Sequence, residues 1–182
     1  MIILTGFRKY GKYSYNLSND IVKNFKVNFK DTIIKRVSLP VSWRESIEVY
    51  RDILLLKEPN PKLAILLGIH SNNSISIEKF AWNFALGTDI TNKAKFGFIR
   101  FGSKLHISTI LDVKKIYSTL KDKMKIQISY TPGLFLCNYI YYWALHLASN
   151  RYPVIFIHLP YNGKLDEYIK KIEIIIRLIM KL

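Results

Sequence analysis

The chain has one cysteine, Cys137, so any thiol chemistry must come from a single sulfur. Cys137 follows an apolar run and a Pro132-Gly133 turn, and it stands where a helical pattern begins. The partial positive charge at a helix N-terminus stabilises a thiolate, and the exposed N–H groups there can bind an oxyanion. A cysteine nucleophile also needs a base within hydrogen-bond reach and a third group that orients the base. His158, closing the apolar run Pro153–His158, is placed to be that base, and Glu78 to be the orienter. Plainer explanations exist for each. A lone cysteine in an apolar helix is usually packing, a histidine at a strand end is commonly structural, and Glu78 beside Lys79 fits a surface ion pair. His70 and His106 point neither way, and His146 reads as a satisfied group buried within a helix. One sulfur and no close pair of ligands make a metal site a weak reading.

The elements that would position these groups alternate. Met1–Leu4 reads as a buried strand stopped by Thr5-Gly6, followed by a loop with four aromatics, Phe7, Tyr10, Tyr13 and Tyr15. Asn16 or Ser18 caps a helix of about eight residues that ends near Phe25. A strand over Thr32–Val37 ends at Leu39-Pro40, and Ser42 with Glu45 forms a capping box for a helix that Pro59 ends. Leu63–Gly68 is continuously apolar, as in strands covered on both faces. Over Ser74–Phe84, Ile75 and Ile77 alternate with Ser76 and Glu78, the pattern of a half-buried strand. Residues 87–104 read as an irregular basic loop, Ser108–Lys121 as a helix and Lys125–Tyr130 as a strand. A loop over 131–135 leads into the helix at Leu136 and Cys137. A last strand, Pro153–His158, is stopped by Leu159-Pro160, and a final helix from Leu165 carries Ile169, Ile172, Ile176 and Ile179 on one stripe. Strands alternating with helices predict a three-layer α/β/α sandwich around a mainly parallel, mixed sheet, as a single domain over residues 1–182. In such sheets ligands collect at the carboxyl ends of strands, which is where the loop after Leu4, Gly68–Asn73, Thr131–Cys137 and His158 are expected.

Composition sets the bounds. With 182 residues, 49% of them hydrophobic, the chain supports one domain with a sizeable core, and 8 Gly and 6 Pro exclude repetitive or low-complexity chains. A single cysteine excludes a disulfide framework and suits a reducing, cytoplasmic setting. The uncharged stretch from Ile126 to Asn150 is broken by Thr131-Pro132-Gly133, and its helical part of about fifteen residues falls short of the ~20 that span a bilayer. The net charge of +15 invites an anionic partner. No run of five or more Lys and Arg concentrates it, however, so a solvated lysine-rich surface is the favoured reading.

Four ordered segments resemble the pyroglutamyl peptidase I (pyrrolidone-carboxylate peptidase) family. Ser129-Tyr-Thr-Pro-Gly-Leu-Phe-Leu-Cys-Asn-Tyr139 is similar to the family's S-N-x-A-G-x-F/Y-V/L-C-N. Leu4-Thr-Gly-Phe-Arg-Lys-Tyr-Gly11 with Asn16 is similar to T-G-F-x-P-F-G-G followed by N-P. Leu67-Gly68 and then Ser74-Ile-Ser-Ile-Glu-Lys-Phe-Ala-Trp-Asn83 are similar to the glutamate segment I-S/T-I/V-E-R-x-A-x-N. Phe156-Ile-His-Leu-Pro-Tyr161 is similar to F-I-H-V/L-P-Y, and Leu39-Pro-Val41 matches as well. The resemblance implies a cysteine peptidase that removes an N-terminal pyroglutamyl residue from peptides through a thioester acyl-enzyme. It implies Cys137 as nucleophile, His158 as general base and then acid, and Glu78 as the residue orienting His158. It places Phe7, Tyr10, Ile69, Phe135 and Leu136 in the substrate pocket, implies no cofactor, and implies a homo-oligomer, dimer or tetramer. A small, flat, uncharged pyroglutamyl ring suits such an apolar pocket with a few backbone hydrogen bonds.

The chain also departs from the family. P-F-G-G becomes Lys9-Tyr10-Gly11-Lys12, and N-P becomes Asn16-Leu17. The glycine-rich turn after Gly68 becomes Ile69-His-Ser-Asn-Asn-Ser74, about one residue shorter. The segment A-R-I-P-D-N is here Gly87-Thr-Asp-Ile-Thr-Asn92, so the arginine that lines the site in relatives is Thr88. Losing one preorganised cationic donor can cost roughly 10²-fold in rate. Two other readings therefore stand beside the first. One is a relative with the three residues intact but an altered or weak substrate preference. The other is a non-catalytic basic α/β module binding nucleic acid or another anion, for which the scattered lysines speak poorly.

Overall fold

The computed structural model describes residues 1–10, 15–30, 32–55 and 60–182. Pro59 as the end of a helix, and Gly11, Lys12 and Tyr13 of the aromatic loop, lie outside the described residues. The element order is β1 (Ile2–Phe7), α1 (Leu17–Asn24), β2 (Ile34–Leu39), α2 (Trp43–Leu55), β3 (Leu63–His70), β4 (Ile75–Glu78), β5 (Phe80–Trp82), β6 (Ala85–Thr88), β7 (Ala94–Gly97), β8 (His106–Ser108), α3 (Val113–Leu120), β9 (Ile126–Ser129), α4 (Leu136–Ala148), β10 (Val154–Pro160) and α5 (Leu165–Ile179). The main sheet has six strands in the order β2-β1-β3-β10-β4-β9, and β5–β8 and β6–β7 form two small antiparallel pairs.

The layers follow from the sequence periods. Successive residues of a strand face opposite sides, so Ala64 and Leu66 of β3 enter one core while Leu63, Ile65 and Leu67 enter the other. The first core is closed by α2 and α4, with Tyr50, Tyr141, Tyr142 and Phe156 fully buried in it. The second is closed by α1, α3 and α5. Covering both faces explains why β1, β3 and β10 read as continuous apolar runs. The expected three-layer α/β/α sandwich with a mainly parallel, mixed sheet is the fold found. Ile172, Ile176 and Ile179 of the α5 stripe are buried against the sheet, with Ile169 partly buried beside them, so that stripe is spent within the domain.

Several expectations are corrected. Thr5-Gly6 does not stop β1, which runs on to Phe7 because β1 pairs with β2 along its whole length. The last strand likewise runs through Leu159 and Pro160 beside β3. Ser74–Phe84 is not one half-buried strand. β4 is buried at all four positions, and the chain then turns out to form β5, which pairs with β8 instead of the main sheet. Ser76 and Glu78 looked like solvent positions because they are polar. The basic loop over 87–104 contains the β6–β7 hairpin, and the helix expected from Ser108 begins at Val113, where Asp112 caps it by accepting from the N–H groups of Lys114 and Lys115. Asn16 caps α1 as expected, with its side chain accepting from Ser18 N–H at 3.1 Å. No helix among the described residues is long and apolar enough to cross a membrane.

Strand direction decides the geometry at the top of the sheet. β4 runs antiparallel to β10, with Phe156 opposite Glu78 and His158 opposite Ser76, whereas β9 runs parallel to β4. Ser129 therefore sits level with Glu78, two residues deeper than His158. Residues 130–135 must climb back across the sheet before α4 can start, so Cys137 reaches the carboxyl ends of the parallel strands by this return and not by leaving one of them.

Candidate active site

α4 begins at Leu136 with Phe135 as its N-cap residue, and that residue supplies no side-chain cap. The first backbone bond of the helix is Tyr139 N–H to Phe135 C=O, so the N–H groups of Leu136, Cys137 and Asn138 precede the intrahelical ladder and point out of its mouth. Two devices hold this terminus in place. Asn138 is fully buried, accepts from Trp82 N–H at 2.7 Å, and donates to the carbonyls of Trp82 and Phe84 at 2.9 and 2.8 Å, tying α4 to the segment that follows β4. One turn further on, the Tyr141 hydroxyl donates to the Glu78 carbonyl at 3.0 Å. The side chain of Asn138 thus supplies the pairing that a β-strand would have given Trp82, which explains why a polar residue belongs in this core.

Beneath this terminus β3 and β10 run side by side with Gly68 opposite His158. His158 and Glu78 lie on the same face of the sheet, and Glu78 reaches His158 diagonally across the antiparallel pair, Oε1 to Nδ1 at 2.7 Å. Both are buried, at 7% and 1% exposure, which removes the surface ion pair with Lys79 as an explanation of Glu78. Burial alone would lower the His158 pKa. Attraction and hydrogen bonding to Cys137 outweigh that, with the hydrogen bond and charge of Glu78 adding to it, and the imidazole is pushed up from 6.5 to about 9. An imidazole bonded on one side to a carboxylate and influenced on the other by a cysteine has the chemistry to carry a proton between that sulfur and a bound molecule.

Cys137 is partly exposed and opens on a cavity of about 500 Å³. The five residues expected in a pocket, Phe7, Tyr10, Ile69, Phe135 and Leu136, all line it. It also takes in Tyr15, Asn16, Val41, His70 and Tyr161, which composition alone did not single out as lining groups. The cavity is fixed from behind by Trp43, whose ring stacks edge-on against Phe135 at 5.0 Å and against Tyr139 at 5.1 Å. Trp43 is in turn held by Asp89. One carboxylate oxygen of Asp89 accepts from Trp43 N–H at 2.9 Å, and the other accepts from the N–H of Thr91 and Lys93 and from the Thr91 hydroxyl. Burial opposes the Asp89 charge, but the bonds from Thr91, Trp43 and Lys93 outweigh it and bring the carboxyl down to about 2.

The remaining marked residues lie elsewhere. Thr88, where relatives have an arginine, is exposed at the end of β6 and is not among the residues lining the cavity. His106 is on β8 against the Phe80 ring, away from the cavity. His146 is half-buried, not enclosed as expected, and its Nε2 accepts from Arg100. His70, which pointed neither way, sits in the cavity with its ring 5.4 Å from that of His158.

Comparison with known proteins identifies the family. The pyroglutamyl peptidase family profile matches residues 1–174. A pyrrolidone-carboxylate peptidase of Pyrococcus furiosus is 32% identical over 170 residues, covering 88% of this chain and 80% of its own. One from Thermococcus litoralis is 31% identical over 183 residues, covering 93% and 80%. The solved pyrrolidone carboxyl peptidase structure from Thermococcus litoralis superposes with a TM-score of 0.90 at 26% identity, over 99% of this chain and 93% of that one. The chain belongs to the pyroglutamyl peptidase family of cysteine-type omega peptidases.

Proposed function

We propose that the protein removes N-terminal pyroglutamate from peptides with Cys137 as nucleophile, His158 as general base and acid, and Glu78 as the residue that orients His158. One observation carries the reading: a buried imidazole is bonded to a buried carboxylate at 2.7 Å, on the strand beside the Gly68 against which the Cys137 sulfur packs. The Cys137 thiolate attacks the exocyclic carbonyl carbon of the pyroglutamyl residue, and the carbonyl electrons move to oxygen. The free N–H groups of the first turn of α4 receive that oxyanion. His158 gives its proton to the departing amine nitrogen, the C–N bond breaks, and a thioester remains. Neutral His158 then takes a proton from water, and the hydroxide attacks the thioester. Pyroglutamate leaves, and the proton returns to the Cys137–His158 pair. The apolar rings of Phe7, Tyr10 and Phe135 offer the lactam ring a flat, uncharged berth.

Thr88, standing where relatives carry an arginine, favours a weaker variant of the same reading, because its own side chain brings no cationic donor. The working setting is the reducing cytoplasm that the sole thiol needs. Self-association would use the face where Phe84, Phe96, Phe98 and Phe101 form a chain of ring contacts, with Phe96 and Phe101 more than four-fifths exposed. The test is hydrolysis of a chromogenic pyroglutamyl amide. Turnover by the parent chain and none by Cys137→Ala, with the same circular dichroism, supports the reading. No turnover by a well-folded parent chain across pH and temperature rejects it.

A further inference from the structure

His70 ends β3, where the family's glycine-rich turn gives way to Ile69-His-Ser-Asn-Asn-Ser74. Its half-buried ring is tilted by 41° against His158 and shares the cavity with Cys137. Tyr161 N–H donates to the His70 carbonyl at 3.0 Å, which fixes the backbone. His70 Nε2 lies 2.9 Å from the Ser74 carbonyl oxygen. A carbonyl oxygen can only accept, so Nε2 carries a proton, and in the neutral ring Nδ1 is a bare acceptor. Burial lowers the His70 pKa below 6.5, the Ser74 bond offsets part of that, and the charge of His158 lowers it further, so the ring is neutral at pH 7. No partner for Nδ1 occurs among the described residues.

Pyroglutamate has one N–H, on the lactam nitrogen, and that nitrogen is bonded to the same α-carbon that carries the scissile carbonyl. Its acceptor must therefore lie beside the sulfur and the base, not at the far end of the pocket. Other polar side chains of the cavity fit less well. Tyr15 donates to the Tyr161 carbonyl, and Asn16 is engaged with Ser18 and with the Arg8 carbonyl. Tyr10, Ser71 and Asn162 are exposed. We propose that His70 Nδ1 accepts the lactam N–H and makes this side chain a specificity-determining residue for the pyroglutamyl ring. The inference rests on the peptidase reading above.

The test compares two chromogenic amides, pyroglutamyl and its carbocyclic analogue 3-oxocyclopentanecarboxyl, in which a methylene replaces the lactam N–H. The variant His70→Phe keeps a ring against His158 and removes the acceptor, and His70→Gln restores a side-chain acceptor. Expected is a loss of roughly 10- to 100-fold in kcat/KM on the pyroglutamyl amide for His70→Phe, mostly in KM, with partial recovery in His70→Gln. The carbocyclic amide should be cleaved equally by all three. Unchanged iodoacetamide labelling of Cys137 shows that the reacting sulfur is undisturbed. Equal losses on both amides, altered labelling, or no loss on either would overturn the role of His70 while leaving the peptidase reading standing. A parent chain that cleaves neither amide removes both.

Discussion

The sulfur of Cys137 rests directly on the backbone of Gly68. A β-carbon built on that glycine would stand 2.9 Å from the ring of Phe156, closer than real β-carbons come, and 3.0 Å from Sγ, at the tight edge of what they show. Cys137, Phe156 and the β3 backbone at Gly68 are thus packed without a spare methyl group.

Gly68→Ala tests that contact. The fully buried Phe156 ring must shift, and the sulfur must give by a few tenths of an ångström as well. A displacement of about 1 Å can cost roughly 10²-fold in rate, whereas overpacking costs about 1–3 kcal/mol in stability. A shift of a few tenths of an ångström is a fraction of that, so the expected result is a roughly 3- to 30-fold fall in kcat for the pyroglutamyl amide in a protein that still unfolds cooperatively. Steady-state kinetics beside a urea titration separates the two effects, and an unchanged kcat would refute the packing argument.

The His158 proton sets an alkaline limit. Its folded pKa of about 9 lies above the ordinary 6.5, so the group contributes stability fully below pH 6.5 and loses it as pH rises through about 9. The value of kcat/KM should fall over the same range as the imidazolium is lost. In Glu78→Gln the neutral amide no longer supports the charge, so this limb moves to lower pH and kcat drops roughly 10³- to 10⁴-fold. pH–rate profiles of both proteins decide the point, and coincident alkaline limbs would show that Glu78 does not govern the ring.

Asp89 controls the wall of the cavity from outside it. Asp89→Asn weakens charge-assisted bonds to Trp43, Thr91 and Lys93 and should cost about 1–3 kcal/mol at pH 7. The carboxyl pKa is depressed from 3.8 to about 2, so the native contribution is complete above pH 3.8 and disappears as pH falls through about 2. Urea unfolding at pH 7, 4 and 2 should show the difference between the two proteins shrinking only at the lowest pH. A constant difference would assign it to packing instead of charge.

Asn138→Asp replaces a donor to two carbonyls with an acceptor in a fully buried position. The carbonyls of Trp82 and Phe84 are left facing negative oxygen, and the loss should exceed about 3 kcal/mol. Asn138→Ala, which only leaves the partners unpaired, should cost less. Thermal melts of the pair, read with Cys137 alkylation rates, test whether α4 loosens from its mouth inward; equal melting points would count against the amide as the tie.

Much of this arrangement was legible in the chain. The apolar runs at Leu63–Gly68 and Pro153–His158 announce strands covered on both sides, and the turn before Leu136 announces a helix mouth beneath one sulfur. Glu78 stood out as a candidate orienter by its type, but its burial left no mark in the chain. Polar residues at alternate positions mark a wet face when nothing else is known, yet Ser76 and Glu78 face a dry interior. Strand direction left no trace either: residues 130–135 do not show that they climb back across the sheet. Asp89 sat in a run rich in lysine and threonine that read as loop, because one carboxylate serving several N–H groups is a matter of distance in space. Asn138 and His70 were hidden for the same reason, each being matched to backbone groups far along the chain or around a turn.

The reversal of β4 also restricts proton traffic. The Glu78 carboxylate occupies Nδ1 of His158 from a side closed to solvent, leaving only Nε2 to exchange. Under the proposed mechanism every proton that the ring gains or loses must pass through that one outer nitrogen, so an acyl group held on Cys137 would screen this histidine from bulk buffer for as long as it stays.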